Sequence, residues 1–130
     1  MDLKQLDLGA ACDEGATLTL EHPTTGEPLD ATIVLYGPDS QVVAKLRREQ
    51  SDRTLARVRR SGSKRVTAAE LELEACQFLA TATKSWSGVE EHGQAVPFSY
   101  ENAVRIYREH RWVREQVDRF VGDRGNFIKG

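Results

Sequence analysis

Apolar and polar positions alternate along residues 16–21, with Leu18 and Leu20 on one face and Thr17 and Thr19 on the other. A period of two predicts a half-buried β-strand. His22-Pro23-Thr24-Thr25-Gly26-Glu27-Pro28 follows with turn chemistry, since proline fixes φ and glycine permits positive φ. A second β-rich run, Ala-Thr-Ile-Val-Leu-Tyr at 31–36, is stopped by Gly37-Pro38. The two runs predict a β-hairpin over 15–38. A lone hairpin is marginal in water, so it must lean on helices or pair with another copy.

After the hairpin the period changes. Asp39 or Ser40 can cap a helix, and from there to about Arg60 there is neither proline nor glycine. Val43, Leu46, Leu55 and Val58 fit one helical face, but Gln50 and Ser51 interrupt it, so 39–60 is expected to be a long, polar, basic helix. Ser61-Gly62-Ser63 ends it in a loop. Thr67-Ala68-Ala69-Glu70 matches the capping box, and Leu71, Ala75, Phe78, Leu79 and Ala82 follow at helical spacing, which makes 67–84 the expected core helix. Ser85 to Gly93 is expected to break it. Trp86 then sits in a loop, either packed over a helix end or exposed to a partner.

Ser99 is a good N-cap with Phe98 before it as a staple. Ala103, Ile106 and Tyr107, then Val113, Val117, Phe120 and Val121, predict C-terminal helices over 99–122 with a bend near His110-Arg111. Residues 1–14, with Leu3, Leu6 and Leu8, suggest one helical turn or a mobile arm. Residues 123–130 suggest a frayed tail in which Phe127 and Ile128 could dock. The expected fold is one α+β domain over 1–130, mainly α-helical, with a small N-terminal β-hairpin followed by three or four helices.

Composition narrows the class. With 29% charged and 39% hydrophobic residues the chain is too mixed for a membrane span and too apolar for full disorder. No apolar run approaches the roughly 20 residues a spanning helix needs, and Met1-Asp2-Leu3-Lys4-Gln5 lacks the basic and apolar regions of a signal peptide. Cytoplasmic residence and no membrane partner are the expectation. Cys12 and Cys76 are then expected to be reduced, unpaired thiols.

The net charge of −2 hides a polarity. In residues 1–30 one lysine faces seven carboxylates, a balance of −6; in residues 45–65 nine cations face Glu49 and Asp52, a balance of +7. Such polarity bears on partners rather than on fold. Arg53, Arg57 and Arg60 follow i, i+4 and i+3 steps and share one helical face. That face could remain solvated, meet an acidic region of the same or another subunit, or track a phosphate backbone. No aromatics interleave with it and no helix-turn-helix is visible, so a nucleic-acid-binding module is the alternative rather than the leading reading.

Catalytic signals are missing. There is no Ser/His/Asp arrangement, no CxxC or Cys/His cluster for a metal, and no cofactor motif. Ser61-Gly62-Ser63-Lys64 lacks the glycine spacing of a phosphate loop. Glu90, Glu91 and Asp118 have no spacing that places them in a shared cleft. A non-enzymatic role carried by surfaces is the expectation, with no cofactor and no metal.

Several segments together resemble one family, the tail assembly chaperones of long-tailed bacteriophages and prophages. They are the opening Met1–Leu8, the turn His22–Leu29, Tyr36-Gly37-Pro38-Asp39-Ser40, Trp86-Ser87-Gly88-Val89, Val96-Pro97-Phe98-Ser99-Tyr100-Glu101-Asn102-Ala103 and Trp112-Val113-Arg114-Glu115-Gln116-Val117. Arg111 stands where the family often has proline, which softens the expected bend. The resemblance implies a chaperone that binds the tape measure protein in the host cytoplasm, keeps it soluble before the tail tube polymerises, and is absent from the mature virion. Many members are also made as a longer product by frameshifting, whose extension recruits tail tube protein; a chain ending at Gly130 corresponds to the short form. A tape measure protein is a helical rod whose apolar stripe needs cover, and many weakly bound copies could supply it. Charge polarity and the tryptophans single out Arg53, Arg57, Arg60, Trp86 and Trp112 as partner-binding residues, and the opposed charges make self-association a further expectation.

Overall fold

The computed structural model describes Leu3, residues 9–61 and residues 67–127. Among these residues five α-helices accompany a small antiparallel sheet, a mixed α+β architecture with helix in the majority. The elements are α1 (Gly9–Glu14), β1 (Ala16–Glu21), β2 (Pro28–Leu35), α2 (Gln41–Ser61), α3 (Ala68–Ala82), β3 (Thr83–Ser87), β4 (Glu90–Glu91), β5 (Gln94–Ala95), α4 (Tyr100–Glu109) and α5 (Arg111–Val121), followed by a 3-10 turn at Arg124–Phe127.

The main sheet has the order β1-β2-β3, with β2 central and antiparallel to both neighbours. Leu18 lies opposite Ile33, and Ile33 in turn lies opposite Trp86. The helix stops before Ser85–Gly93 as expected, but the break opens with a third strand rather than a loop. The strand was hidden because Thr-Lys-Ser-Trp-Ser has one apolar residue and no alternation; its pairing with β2 makes it a strand. The core helix also ends at Ala82, two residues before its expected end. Thr83 turns the chain directly from α3 into β3: its backbone N–H donates to Ala80 O and its Oγ1 donates to Leu79 O at 2.8 Å. The register slips between Val34 and Leu35, leaving Lys84 unpaired as a bulge. Its ammonium is re-aimed over the Tyr36 ring at 5.9 Å.

Helices α3, α4 and α5 bury one face of the sheet. The core joins Leu20, Ile33 and Leu35 of the strands to Cys76, Leu79, Ile106, Tyr107, Val113, Val117 and Val121 of the helices. Its polar centre is Tyr107, fully buried, whose hydroxyl lies 2.7 Å from Thr83 Oγ1. The Thr83 hydrogen is committed to Leu79 O, so Tyr107 is the donor. Burial pushes its phenol far above the ordinary range. The two C-terminal helices break at His110, which serves as the C-cap of α4 and the N-cap of α5.

At both chain ends the described residues follow one of the expected alternatives. Of the helical turn and the arm, Gly9–Glu14 takes the helix, which buries Cys12 against Gly37, whose N–H donates to Cys12 O at 2.9 Å. After Gly122 the chain takes the docked alternative as far as Phe127. Phe127 is buried edge-on against Phe120, with ring centroids 5.6 Å apart. Arg124 grips both carboxylate oxygens of Asp39, at 2.7 and 3.0 Å. The sequence pattern offered both alternatives but not their partners, because the contacts join distant parts of the chain. Residues 1, 2, 4–8, 62–66 and 128–130, with the loop expected after Ser61, lie outside the described residues.

The entry to α2 is unusually well capped. Ser40, fully buried, accepts from Val43 N at 3.1 Å, and Asp13 of α1 accepts from Gln41 N at 2.8 Å. Ser40→Ala is expected to cost about 1–2 kcal/mol, the upper half of the N-cap range, because the orphaned amide is buried. Urea unfolding checks it: the midpoint should fall with an unchanged slope. A loss below about 0.3 kcal/mol would mean that Asp13 alone suffices as the cap.

Candidate interaction surfaces

Helix α2 is the first candidate surface. It runs 21 residues, yet Val43 is the one buried residue among its described side chains. Helices in proteins draw most of their stability from packing an apolar face. Here the packing is thin: Arg57 Nη2 lies 2.9 Å from Glu74 Oε1, and the Arg47 guanidinium sits 5.6 Å from the Phe78 ring centroid. Both contacts tie α2 to α3. Alongside this seam Leu55 is 55% exposed and Leu71 53%. Arg53 and Arg59 are exposed on the same helix as Leu55. The result is a basic surface on which Leu55 and Leu71 each leave about half of their area to solvent.

The second candidate is a cleft of about 240 Å³ between the sheet and the α4–α5 junction. Its walls are apolar, built from Leu20, Leu29, Val89, Ile106, Trp112 and Val113. Asp30 and Glu90 stand at its lip and His110 at the junction end. Gly88 lets the chain pass close to β2 here: its φ is +77°, and a Cβ would drive into the Asp30 backbone. The following β4–β5 ribbon turns on His92 and Gly93, with φ of 52° and 74°, the paired left-handed residues of a type I′ hairpin.

Behind the cleft lies a charge cluster. Glu91 Oε1 lies 2.7 Å from Arg105 Nη1, Glu91 Oε2 lies 2.9 Å from His110 Nε2, and the same Arg105 nitrogen lies 3.2 Å from Glu109. The ligand atoms of Glu91, Glu109 and His110 are close enough together to hold a metal ion. Arg105 already places a positive charge between the two carboxylates, however, and an ion would have to displace it. The cluster therefore acts as a clamp between β4 and the helix junction.

Hydrogen bonds from His110 and then Arg105 hold the Glu91 carboxyl below its usual range, and Arg124 does the same for Asp39. A lowered native value means that the pairs stabilise the fold above the unfolded carboxyl values of about 4 and lose that contribution as pH falls through the native ones. Melting temperature is therefore expected to drop on acidification below about pH 4, and to drop less steeply in a Glu91→Gln/Asp39→Asn variant. Parallel pH profiles for the two proteins would contradict this assignment.

The sequence-predicted residues do not converge on one site. Arg53 is exposed on α2, Arg57 is engaged with Glu74, and the side chain of Arg60 lies outside the described residues. Trp86 belongs to β3 rather than to a loop. Its indole N–H donates to Val96 O at 2.8 Å, and its ring meets Phe98 and Tyr107 edge-on with centroids 5.2 and 6.5 Å away. It is a packing residue that ties the strand to the segment before α4. Trp112, half-buried, lines the cleft. The cleft itself escaped sequence reading because its walls come from five separate segments; Trp112 was the one visible signal.

Several residues that carry the family resemblance hold the fold together. Ser99 caps α4 by accepting from Asn102 N at 3.1 Å, while Asn102 Nδ2 donates to Pro97 O at 2.9 Å. Gln116 closes the edge of β1: Glu21 N donates to its Oε1 at 2.9 Å and its Nε2 donates to Glu21 O at 2.8 Å. Opposite Glu21 stands Pro28, and the side-chain amide bonds the Glu21 backbone as a neighbouring strand would. No family model matches the chain, and no curated protein or solved structure matches it significantly. No helix among the described residues is long and apolar enough to cross a membrane.

Proposed function

We propose that this chain is a tail assembly chaperone of a long-tailed bacteriophage or prophage, which binds the tape measure protein and keeps it soluble until tail tube subunits assemble around it. On this reading it acts in the host cytoplasm, without catalysis, cofactor or metal. The observation that carries the reading is α2: a 21-residue basic helix that gives the core almost nothing and leaves Leu55 exposed. An amphipathic helix of a rod-like partner, apolar along one stripe and acidic beside it, complements that surface. The order of the family-like segments along the chain supports the same reading.

Co-expression with a tape measure protein tests it. Arg53→Glu/Leu55→Glu/Arg59→Glu changes only exposed side chains and should leave folding nearly unaltered. The triple variant is expected to recover about tenfold less soluble complex than the parent, the size expected when a central anchor and its flanking charges are lost. Undiminished complex would remove α2 from the interface. The nucleic-acid alternative requires that α2 bind duplex or single strands with a steep salt slope; the chaperone reading expects no specific shift of DNA.

A further inference from the structure

We infer that the cleft beside Trp112 is an anchor pocket for a helical segment of a protein partner, one that presents a single large apolar side chain with lysine or arginine a turn away. The inference rests on the partner-binding reading above but places a second, chemically distinct contact far along the sequence from α2.

Size points to a side chain rather than a cofactor. At about 240 Å³ the cleft lies below the roughly 300–1,000 Å³ of small-molecule sites. Its apolar walls suit one bulky aliphatic or aromatic group, and Trp112 is the kind of half-buried aromatic that dominates binding energy when a partner desolvates it. Charge selects the neighbours of that group. Asp30 and Glu90 are exposed at the lip, and neither carboxylate has an ion-pair partner among the described residues. The adjacent imidazole of His110 is held by Glu91 at 2.9 Å. Glu115, beyond Trp112, is paired with Arg111 at 3.0 Å. The two unpaired carboxylates are thus the groups left to meet a cation.

Backbone geometry favours a helix at the β1 side. An extended peptide would dock by adding to a sheet edge, and at Glu21, beside Leu20 of the cleft, the backbone N–H and C=O are already taken by the Gln116 amide. A helix needs no edge and inserts its side chain end-on. The cleft and α2 have opposite charge, so a rod with segments of alternating sign could engage both.

Two synthetic amphipathic peptides test this on the full chain: one with a single leucine anchor flanked by lysines, the other its glutamate-flanked twin. Methyl NMR of Val89, Ile106 and Val113 reports entry into the cleft. The lysine peptide is expected to shift those methyls and to bind about fivefold more weakly to Asp30→Lys/Glu90→Lys, an exposed-charge variant that leaves the walls intact. Equal binding of the twins, shifts confined to α2, or undiminished affinity in the variant would overturn the proposal. So would a concentration-dependent doubling of mass that shifts the methyls of Val89, Ile106 and Val113 and is abolished by Leu55→Glu, which would show that a second copy of this chain fills the cleft. Failure here, with α2 still required for a soluble tape measure complex, would leave the chaperone reading standing.

Discussion

Tyr107→Ala is expected to destabilise the protein by roughly 3–5 kcal/mol, the range for deleting a large buried aromatic. Against a total stability of roughly 5–15 kcal/mol for a domain, that loss leaves a substantial unfolded population. The reason is the place of Tyr107 in the architecture. Its ring is fully buried where α4 meets the sheet, edge-on to Trp86, and its hydroxyl reaches Thr83 at the junction of α3 and β3. One side chain thus joins α3, α4 and β3. Tyr107→Phe separates the two contributions: the packing survives, and the loss should be about 1–2 kcal/mol because Thr83 Oγ1 keeps its bond to Leu79 O. Urea unfolding of both variants supplies the measurement. A Tyr107→Phe loss equal to that of Tyr107→Ala would mean that the hydrogen bond, not the ring, holds the junction.

Gly88→Val is expected to cost roughly 3 kcal/mol or more. Two effects add: a β-branched residue in the left-handed region, about 1–3 kcal/mol, and overpacking against fixed backbone, about 1–3 kcal/mol. A Cβ at residue 88 would stand 3.1 Å from Asp30 C and 3.2 Å from Ala31 Cα, so β2 itself would have to move. Gly93 is the natural control. Its φ of +74° imposes the same strain, but a Cβ at residue 93 would have nothing within 4 Å. Gly93→Ala should therefore cost only about 1 kcal/mol. Comparing Gly88→Ala with Gly93→Ala isolates the close approach, and equal losses would remove it as a cause. Because Gly88 lines the cleft, the substitution should also reshape the Trp112 pocket.

Local chemistry was readable wherever the partners are near in sequence. Thr67 accepts from Glu70 N at 3.1 Å, as the capping box requires. Leu18 and Leu20 turn inward while Thr17 and Thr19 face out. The apolar phase slips at His110, and there the helices break. What stayed hidden depends on non-local pairing. The strand β3 has no alternation of its own, so only β2 reveals it. Cys12 and Phe127 gave no periodic signal, and their burial depends on Gly37 and Phe120 respectively. Trp86 was visible as an unusual residue, but its role was set by Val96, Phe98 and Tyr107. The cleft needed five segments in register before it existed at all. The charge polarity was legible as a number; which arginines remain available was not, since Glu74 already engages Arg57.

Because the proposed role depends on covering a helical rod through exposed side chains, the most direct measurement is the soluble mass of a co-expressed tape measure protein with and without this chain, by light scattering after affinity purification. A defined complex of one tape measure chain with many copies of this protein, lost in the Arg53→Glu/Leu55→Glu/Arg59→Glu variant, is the expected result. A tape measure protein that stays equally soluble alone, or that never co-purifies with the folded chain, would contradict it.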